Sequence, residues 1–291
     1  MTATLLHFMK MNGLGNDAVI LDARRTPIRI GATEAQRLAD RARGIGCDQV
    51  IVMEPSSDAD VTIRIRNHDG TEADSSANAA RCVAWLITKE TGKQNPVIET
   101  NAGLLGTLVR PDDIVTVDLG PPRFEWDRIP LAEPFADTRY IELQVGPIDA
   151  PVLHSPSVVN LGSPQCIFWV DDLNAHDLGA IGPLIENHPV FAERANISFA
   201  QIASSNAMFL RTWERGAGLT KSSGTAAAAA LCCAARKNLC GREASVQMLG
   251  GTMVVHWTEY DHILASGAVT LENTGSLDPA SFGLVVASSA T

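Results

Sequence analysis

Asp74-Ser75-Ser76-Ala77-Asn78-Ala79-Ala80 and Lys221-Ser222-Ser223-Gly224-Thr225-Ala226-Ala227 are two copies of one device: a Ser-Ser pair that opens a run of small residues. Serine is a strong N-cap, because its hydroxyl oxygen accepts an otherwise orphaned N–H of the first helical turn. Each pair is therefore expected to start a helix. The second serines, Ser76 and Ser223, stand 147 positions apart, and Leu14-Gly15 and Leu161-Gly162, Gly103 and Gly250, and Gly120 and Gly267 share that spacing. A constant offset over so many landmarks means an internal repeat with little net insertion. The period is too long for a solenoid, so the expectation is two similar lobes.

Strand signals outnumber helix signals around these landmarks. Ala18–Leu21, Gln49–Val52, Val61–Arg66, Leu108 and Val115–Val117 read as strands in the first half. Cys166–Val170, Ala195–Phe199, Ala207–Thr212, Val254–Trp257 and Ile263–Ala265 answer them in the second. Two helices are expected per half. The first pair runs from about Glu34 to Arg43 and from Asn78 to Thr91, stopped by Gly92. Their counterparts run from about Leu178 to Glu186 and from Thr225 to Asn238, stopped near Gly241. The fold class is α/β (α+β). The proline-rich stretch Pro121 to Pro134 reads as a linker. The expected lobes are 1–123, joined by a returning segment of about 269–291, and 124–268. The Ser/Ala-rich tail from Ser276 is expected to fray at its end.

The 291 residues suffice for two buried cores, and 45% hydrophobic with 19% charged residues marks a globular chain. Lys and Arg number 23 against 33 Asp and Glu, a net charge of −10. That balance, with no basic run, argues against a nucleic-acid partner. The uncharged run Ala226–Ala235 is too short to span a bilayer, so no membrane association is expected. Met1–Gly13 lacks a basic stretch followed by an apolar one, and a cytoplasmic protein is expected. The six cysteines form no CxxC pair, and no histidine cluster has metal-ligand spacing. Neither a metal nor a disulfide framework is expected.

Small residues after each serine expose the N–H groups of a helix N-terminus, which favours an anion. A carboxylate, or a carboxylate turning into an enediolate, suits such a place. At this point further segments carry a resemblance. Asn67-His68-Asp69-Gly70-Thr71-Glu72 with Asn78-Ala79-Ala80-Arg81-Cys82, and Trp213-Glu214-Arg215-Gly216-Ala217-Gly218 with Ser223-Gly224-Thr225, resemble the two signatures of the diaminopimelate epimerase family. Met11–Asp17, Gly44–Gln49 and Glu193–Ile197 fit as well, so the resemblance runs from about Phe8 to Gly267.

The resemblance implies two mirrored α/β lobes, each a barrel-like sheet around a central helix. It also implies a homodimer and a cofactor-independent epimerase that acts on an amino-acid α-carbon between the lobes. Its substrate would be a diamino dicarboxylic acid, turned from LL- to meso-diaminopimelate in lysine and cell-wall biosynthesis. Carried over by position, Asn16, Gln49, Asn67, Asn78, Asn196, Glu214 and Arg215 match substrate-contacting residues. Amides with an arginine suit a distal ammonium and carboxylate. The N–H groups around Ala77-Asn78 and Gly224-Thr225 would hold the reacting carboxylate.

The family places a catalytic cysteine at both Ser76 and Ser223. A thiol has a pKa of roughly 8.5 and is lowered further at a helix N-terminus. A hydroxyl is a far weaker acid and needs an adjacent base. The family's Asn-Pro-His reads Ser163-Pro164-Gln165 here, and Ala77 and Ala79 replace glycines. Glu214 is retained as a candidate base on one face, and Cys47 is a nearby thiol. Two readings stay open. One is an epimerase scaffold whose catalytic thiols are replaced so as to trap a ligand. The other is a paralogue with one-base isomerisation, elimination through Glu214, or amino-acid sensing as its chemistry.

Overall fold

The structure, a computed structural model, describes residues 5–286. In chain order the elements are β1 (Leu6–Gly13), β2 (Asn16–Asp22), β3 (Ile28–Arg29), α1 (Ala32–Ala39), β4 (Gln49–Glu54), β5 (Val61–Asn67), β6 (Glu72–Ala73), α2 (Ala77–Thr91), β7 (Val97–Thr100), β8 (Gly103–Val109) and β9 (Ile114–Asp118). Then come β10 (Gln144–Val145), β11 (Leu153–His154), β12 (Ser157–Asn160), β13 (Pro164–Trp169), α3 (Leu178–Glu186), β14 (Asn196–Ser204), β15 (Ala207–Glu214), β16 (Gly218–Thr220), α4 (Gly224–Arg236), β17 (Glu243–Met248), β18 (Gly251–Trp257) and β19 (Ile263–Ala268). The chain closes with β20 (Thr270–Leu277), α5 (Pro279–Phe282) and β21 (Val285–Val286). It divides into two compact units, one running up to Val117 and resuming at Gly267, the other Asp118–Ser266.

In the first unit β2 pairs antiparallel with β1 and parallel with β4. β4 runs antiparallel to β5, β5 parallel to β7, and β7, β8 and β9 follow antiparallel. The β1–β2 connection is a two-residue turn with positive φ at both Leu14 (58°) and Gly15 (84°). That conformation matches the twist of a hairpin, and glycine adopts it without steric cost. β20 pairs with the other edge of β1.

The second unit repeats the pattern strand for strand. β13 is antiparallel to β12 and parallel to β14, β14 antiparallel to β15, β15 parallel to β17, and β17, β18 and β19 antiparallel in turn. The shared order of parallel and antiparallel steps is the physical form of the sequence repeat.

Each sheet surrounds one helix. α2 packs on β1, β7 and β8, burying Ala79, Ala80, Cys82, Val83, Ala84 and Ile87. α4 packs on β12–β15, β17 and β18, and its run from Ala226 to Ala234 is buried throughout. Interiors pack at crystal-like density, so a helix enclosed on all sides needs small side chains for the strands to approach it. The uncharged alanine run is thus an interior helix. Among the described residues no helix is long and apolar enough to cross a membrane.

Several expectations need correction. α1 ends at Ala39, because the Asp40 carboxylate accepts the N–H groups of Ala42 (2.8 Å) and Arg43 (3.1 Å) and turns the chain. α4 ends at Arg236, with Asn238 in the left-handed region (φ 58°), so Gly241 does not terminate it. The stretch 121–134 is not a free linker, since Ile129 and Leu131 are buried in the core of the second unit with Phe168 and Phe199. The expected fraying at the tail's end is not one of these: from Ser276 the chain runs through β20, α5 and β21, which pairs with β3. Residues 287–291 of the expected tail lie outside the described residues. Gly103 opens β8 with φ 122°, and its counterpart opening β18 is Gly251 (φ 142°), not Gly250. One extra residue has entered the second copy by that point.

Candidate functional site

Ser76 is the N-cap of α2 and Ser223 the N-cap of α4, in nearly the same extended conformation (φ −150°, ψ 119° and φ −140°, ψ 116°). Ser76 Oγ accepts the Ala79 N–H at 3.2 Å, and Ser223 Oγ accepts the Ala226 N–H at 3.4 Å. Both serines are capping residues, as their type and position require.

In the first unit the expected polar residues collect at one end of the sheet. Asn16 opens β2, Gln49 opens β4, and Asn67 closes β5 directly across from Gln49. They form a directional chain. Ser76 Oγ donates to Gln49 Oε1 (3.0 Å), Gln49 Nε2 to Asn67 Oδ1 (3.1 Å), and Asn67 Nδ2 to Thr71 Oγ1 (3.2 Å). Thr71 Oγ1 then donates to Asp69 Oδ1 at 2.6 Å. An anion at the end of such a chain orients every donor above it. Ala77 and Asn78, the first two residues of α2, are buried, and Asn78 Oδ1 accepts Arg81 Nη2. Arg81 is fully buried, and desolvation lowers its guanidinium to about 10. Asn16 Oδ1 is buried without a hydrogen-bond partner among the described residues.

The second unit repeats the placement. Asn196 opens β14, Glu214 closes β15, and Gln165 lies in register with Asn196. Ser163 Oγ accepts from both Gln165 Nε2 and Asn196 Nδ2, each at 3.0 Å. Asn196 Oδ1 accepts the Arg215 N–H at 2.7 Å, and Arg215 Nη1 donates to the Glu193 carbonyl at 2.7 Å. Glu214 Oε1 accepts from Thr220 Oγ1 at 2.7 Å. Gly224 and Thr225 begin α4, and Thr225 Oγ1 lies 3.4 Å from Ser223 Oγ. Gln165 Oε1 is buried and unpartnered among the described residues.

No carboxylate or imidazole is a hydrogen-bond partner of either serine among the described residues. The nearby thiol offers no substitute. Cys47 is buried, and desolvation pushes it up to about 12. Cys82 is likewise buried and raised to about 12. Both behave as small core residues.

Sequence reading missed the groups that brace these residues. Asp17 and Asp48, next to Asn16 and Gln49, each accept the other's backbone N–H (3.1 and 3.0 Å), and Arg41 bonds both carboxylates. Burial raises the Asp17 carboxyl, but hydrogen bonds from Arg41, Asp48 and Lys10 outweigh it and hold the group well below the usual range. Burial and the neighbouring Asp17 push Asp48 the other way. In the second unit Glu186 plays a comparable part. Such residues carry no signature spacing, because their partners are distant in sequence.

Two copies of a helix-centred sheet, each with a serine capping its helix and polar residues at matching strand ends, define a repeat-built α/β scaffold. Solved structures share it. The hydroxyproline epimerase from Agrobacterium vitis superposes with a TM-score of 0.68 at 16% identity, covering 96% of this chain and 95% of that one. A phenazine biosynthesis protein of the PhzF family from Bacillus anthracis gives 0.65 at 17% identity, covering 94% and 99%. These likenesses establish the fold. The particular family comes from sequence. The family model described as diaminopimelate epimerase matches residues 8–125 and 157–272. A diaminopimelate epimerase of Nitrobacter hamburgensis is 50% identical over 96% of this chain and 97% of its own length. One from Afipia carboxidovorans is 50% identical over 94% and 95%. The chain belongs to the diaminopimelate epimerase family.

Proposed function

We propose that this protein is a cofactor-independent isomerase of the diaminopimelate epimerase type, acting at an amino-acid α-carbon of diaminopimelate in lysine biosynthesis. The observation that supports the reading most is the repeated serine that caps α2 in one unit and α4 in the other, each in a unit that also carries a set of polar residues at matching strand ends. Asn16, Gln49, Asn67, Asn78, Asn196, Glu214 and Arg215 are the substrate-binding set. The N–H groups around Ala77-Asn78 and Gly224-Thr225 take the carboxylate next to the reacting carbon. Helix N-termini favour an anion, and they favour the enediolate more than the carboxylate because its charge on oxygen is larger. Ser163 and Gln165 order Asn196 within its unit.

Epimerisation removes the α-proton on one face and returns a proton on the other. In this reading Ser76 and Ser223 take the places where the family pattern implies the two thiols. A hydroxyl without an adjacent base is a poor proton acceptor, so the rate is expected to be low. Net acidity agrees with a small zwitterionic substrate and no nucleic-acid partner. Six unpaired cysteines support a reducing, cytoplasmic setting. A homodimer belongs to the same reading and is checked by sedimentation. The decisive measurement is α-proton exchange in heavy water, followed by NMR with LL- and meso-diaminopimelate. Slow deuterium incorporation supports the proposal. No exchange and no binding with either stereoisomer at millimolar concentration overturns it.

A further inference from the structure

Glu186, the last residue of α3, is only 5% exposed. A buried carboxylate is costly unless its lone pairs are satisfied. Glu186 spends its own on three donors from two separate segments. Oε2 accepts the Trp213 indole N–H at 2.7 Å. Oε1 accepts the Gly216 backbone N–H at 3.1 Å and Arg194 Nη1 at 3.1 Å. Trp213 and Gly216 bracket Glu214 and Arg215, and Arg194 sits two residues before Asn196. The two segments also join directly, through the Arg215 N–H on Asn196 Oδ1. Trp213 is further pressed against α3, where a Cβ added at Gly182 would meet its ring at 2.5 Å.

We infer that Glu186 is a positioning residue: its buried carboxylate pins the 213–216 turn and the 194–196 strand entry so that Glu214, Arg215 and Asn196 are held ready for the substrate's polar groups. This rests on the functional reading above, which makes those three residues substrate contacts. The role needs an anion. A carboxylate can face three N–H donors at once. An amide of the same size must turn one donor of its own toward them. A side chain that serves only to fill space would be replaced by glutamine without consequence.

The test compares the unmodified chain with Glu186→Gln and Glu186→Asp. Amide hydrogen exchange is followed at Arg215, Gly216 and Ala217, and affinity for meso-diaminopimelate by calorimetry, each variant checked for an intact melting transition. Loss of one buried hydrogen-bond partner predicts exchange at Gly216 faster by roughly tenfold or more in Glu186→Gln, with affinity weaker by a similar factor. In an Arg215→Ala background Glu186→Gln should then weaken binding much less, because the residue it positions is gone. Unchanged Gly216 exchange with intact binding overturns the role of Glu186 alone. So does an equal affinity loss in both backgrounds. Absence of diaminopimelate binding by the unmodified chain instead overturns the functional reading, and the positioning role with it. If Glu186→Gln fails to fold, Trp213→Phe and Arg194→Ala each remove a single donor and apply the same exchange readout. No change at Gly216 in Glu186→Asp and in both of these also overturns the inference.

Discussion

Ser76 donates its proton to Gln49 Oε1 at 3.0 Å while its oxygen accepts the Ala79 N–H at 3.2 Å. The hydroxyl is committed on both sides, as donor to an amide and as acceptor from a helix. From Gln49 the donors run on through Asn67 and Thr71 to the Asp69 carboxylate. Ser223 has no comparable amide acceptor among the described residues, and its capping bond is longer, 3.4 Å. The two serines stand at matching places with unequal surroundings.

That inequality sets an order of stabilities. Removing an N-cap hydroxyl costs about 1 kcal/mol. Ser76→Ala is expected to destabilise by about 1–2 kcal/mol and Ser223→Ala by about half that, since its bond is weaker. Urea denaturation of each unmodified and substituted chain checks the order. Equal losses would show that the Gln49 bond contributes nothing.

Thiols at the two caps should quicken the chemistry. A cysteine at a helix N-terminus has a lowered pKa and is a competent base near neutrality. Ser76→Cys with Ser223→Cys is expected to raise α-proton exchange on diaminopimelate by about 10²-fold or more, the usual scale of positioned acid–base catalysis. Either change alone should favour loss of the proton from one stereoisomer. A silent double variant would mark Ser163, Gln165 and Ala77 as parts of a site shaped for another ligand.

The native thiols should be inert. Burial raises Cys47, Cys82 and Cys233 to about 12, and Cys166 and Cys232 well above the ordinary value. Iodoacetamide at pH 8 is expected to modify only Cys240, which is half-buried and raised less, to about 11. Mass spectrometry of the native protein reads this directly. Rapid alkylation of Cys47 would reopen its candidacy as a reactive group.

Stability should depend on Asp17 in a pH-specific way. Its carboxyl titrates lower in the folded chain than the ordinary 3.8. The stabilisation is therefore present above that ordinary value and is lost as pH falls through the folded one. Asp48 is raised and acts in the opposite sense, gaining as pH falls. Asp17→Asn is expected to cost about 1–3 kcal/mol at pH 7, with the gap to the unmodified chain narrowing below pH 4. Melting temperatures from pH 3 to 8 check the trend, and a pH-independent gap contradicts it.

Gly182→Ala tests the α3 face. The added methyl would stand 2.5 Å from the Trp213 ring. Overpacking of this kind costs about 1–3 kcal/mol. Thermal denaturation should show the loss, and weaker diaminopimelate binding should accompany it if Trp213 also orders Glu214 and Arg215.

The fold was legible where the signal is local. A serine before a run of small residues starts a helix, and a glycine at Gly92 stops one in the left-handed region (φ 78°). Alternating β-branched stretches such as Val61–Arg66 form strands. Repetition of these signals at one spacing foretold two units of equal connectivity. The short strands β3, β6, β16 and β21 carry too few residues to show a period. The proline-rich 121–134 stretch misled, because proline content reports local stiffness and not whether Ile129 and Leu131 find a core.

The site divides along the same line. Residue type and order alone pointed to two serines that each head a helix, with Gln49 opening one strand and Asn67 just past the end of another, because capping and strand length are short-range properties. Only the tertiary structure decided that Cys47 is buried and its thiol raised, that Arg41 joins Asp17 to Asp48, and that Glu186 holds Trp213, Gly216 and Arg194 together. Burial and charge pairing arise between residues far apart in the chain, and neither exists until folding has excluded water from around them.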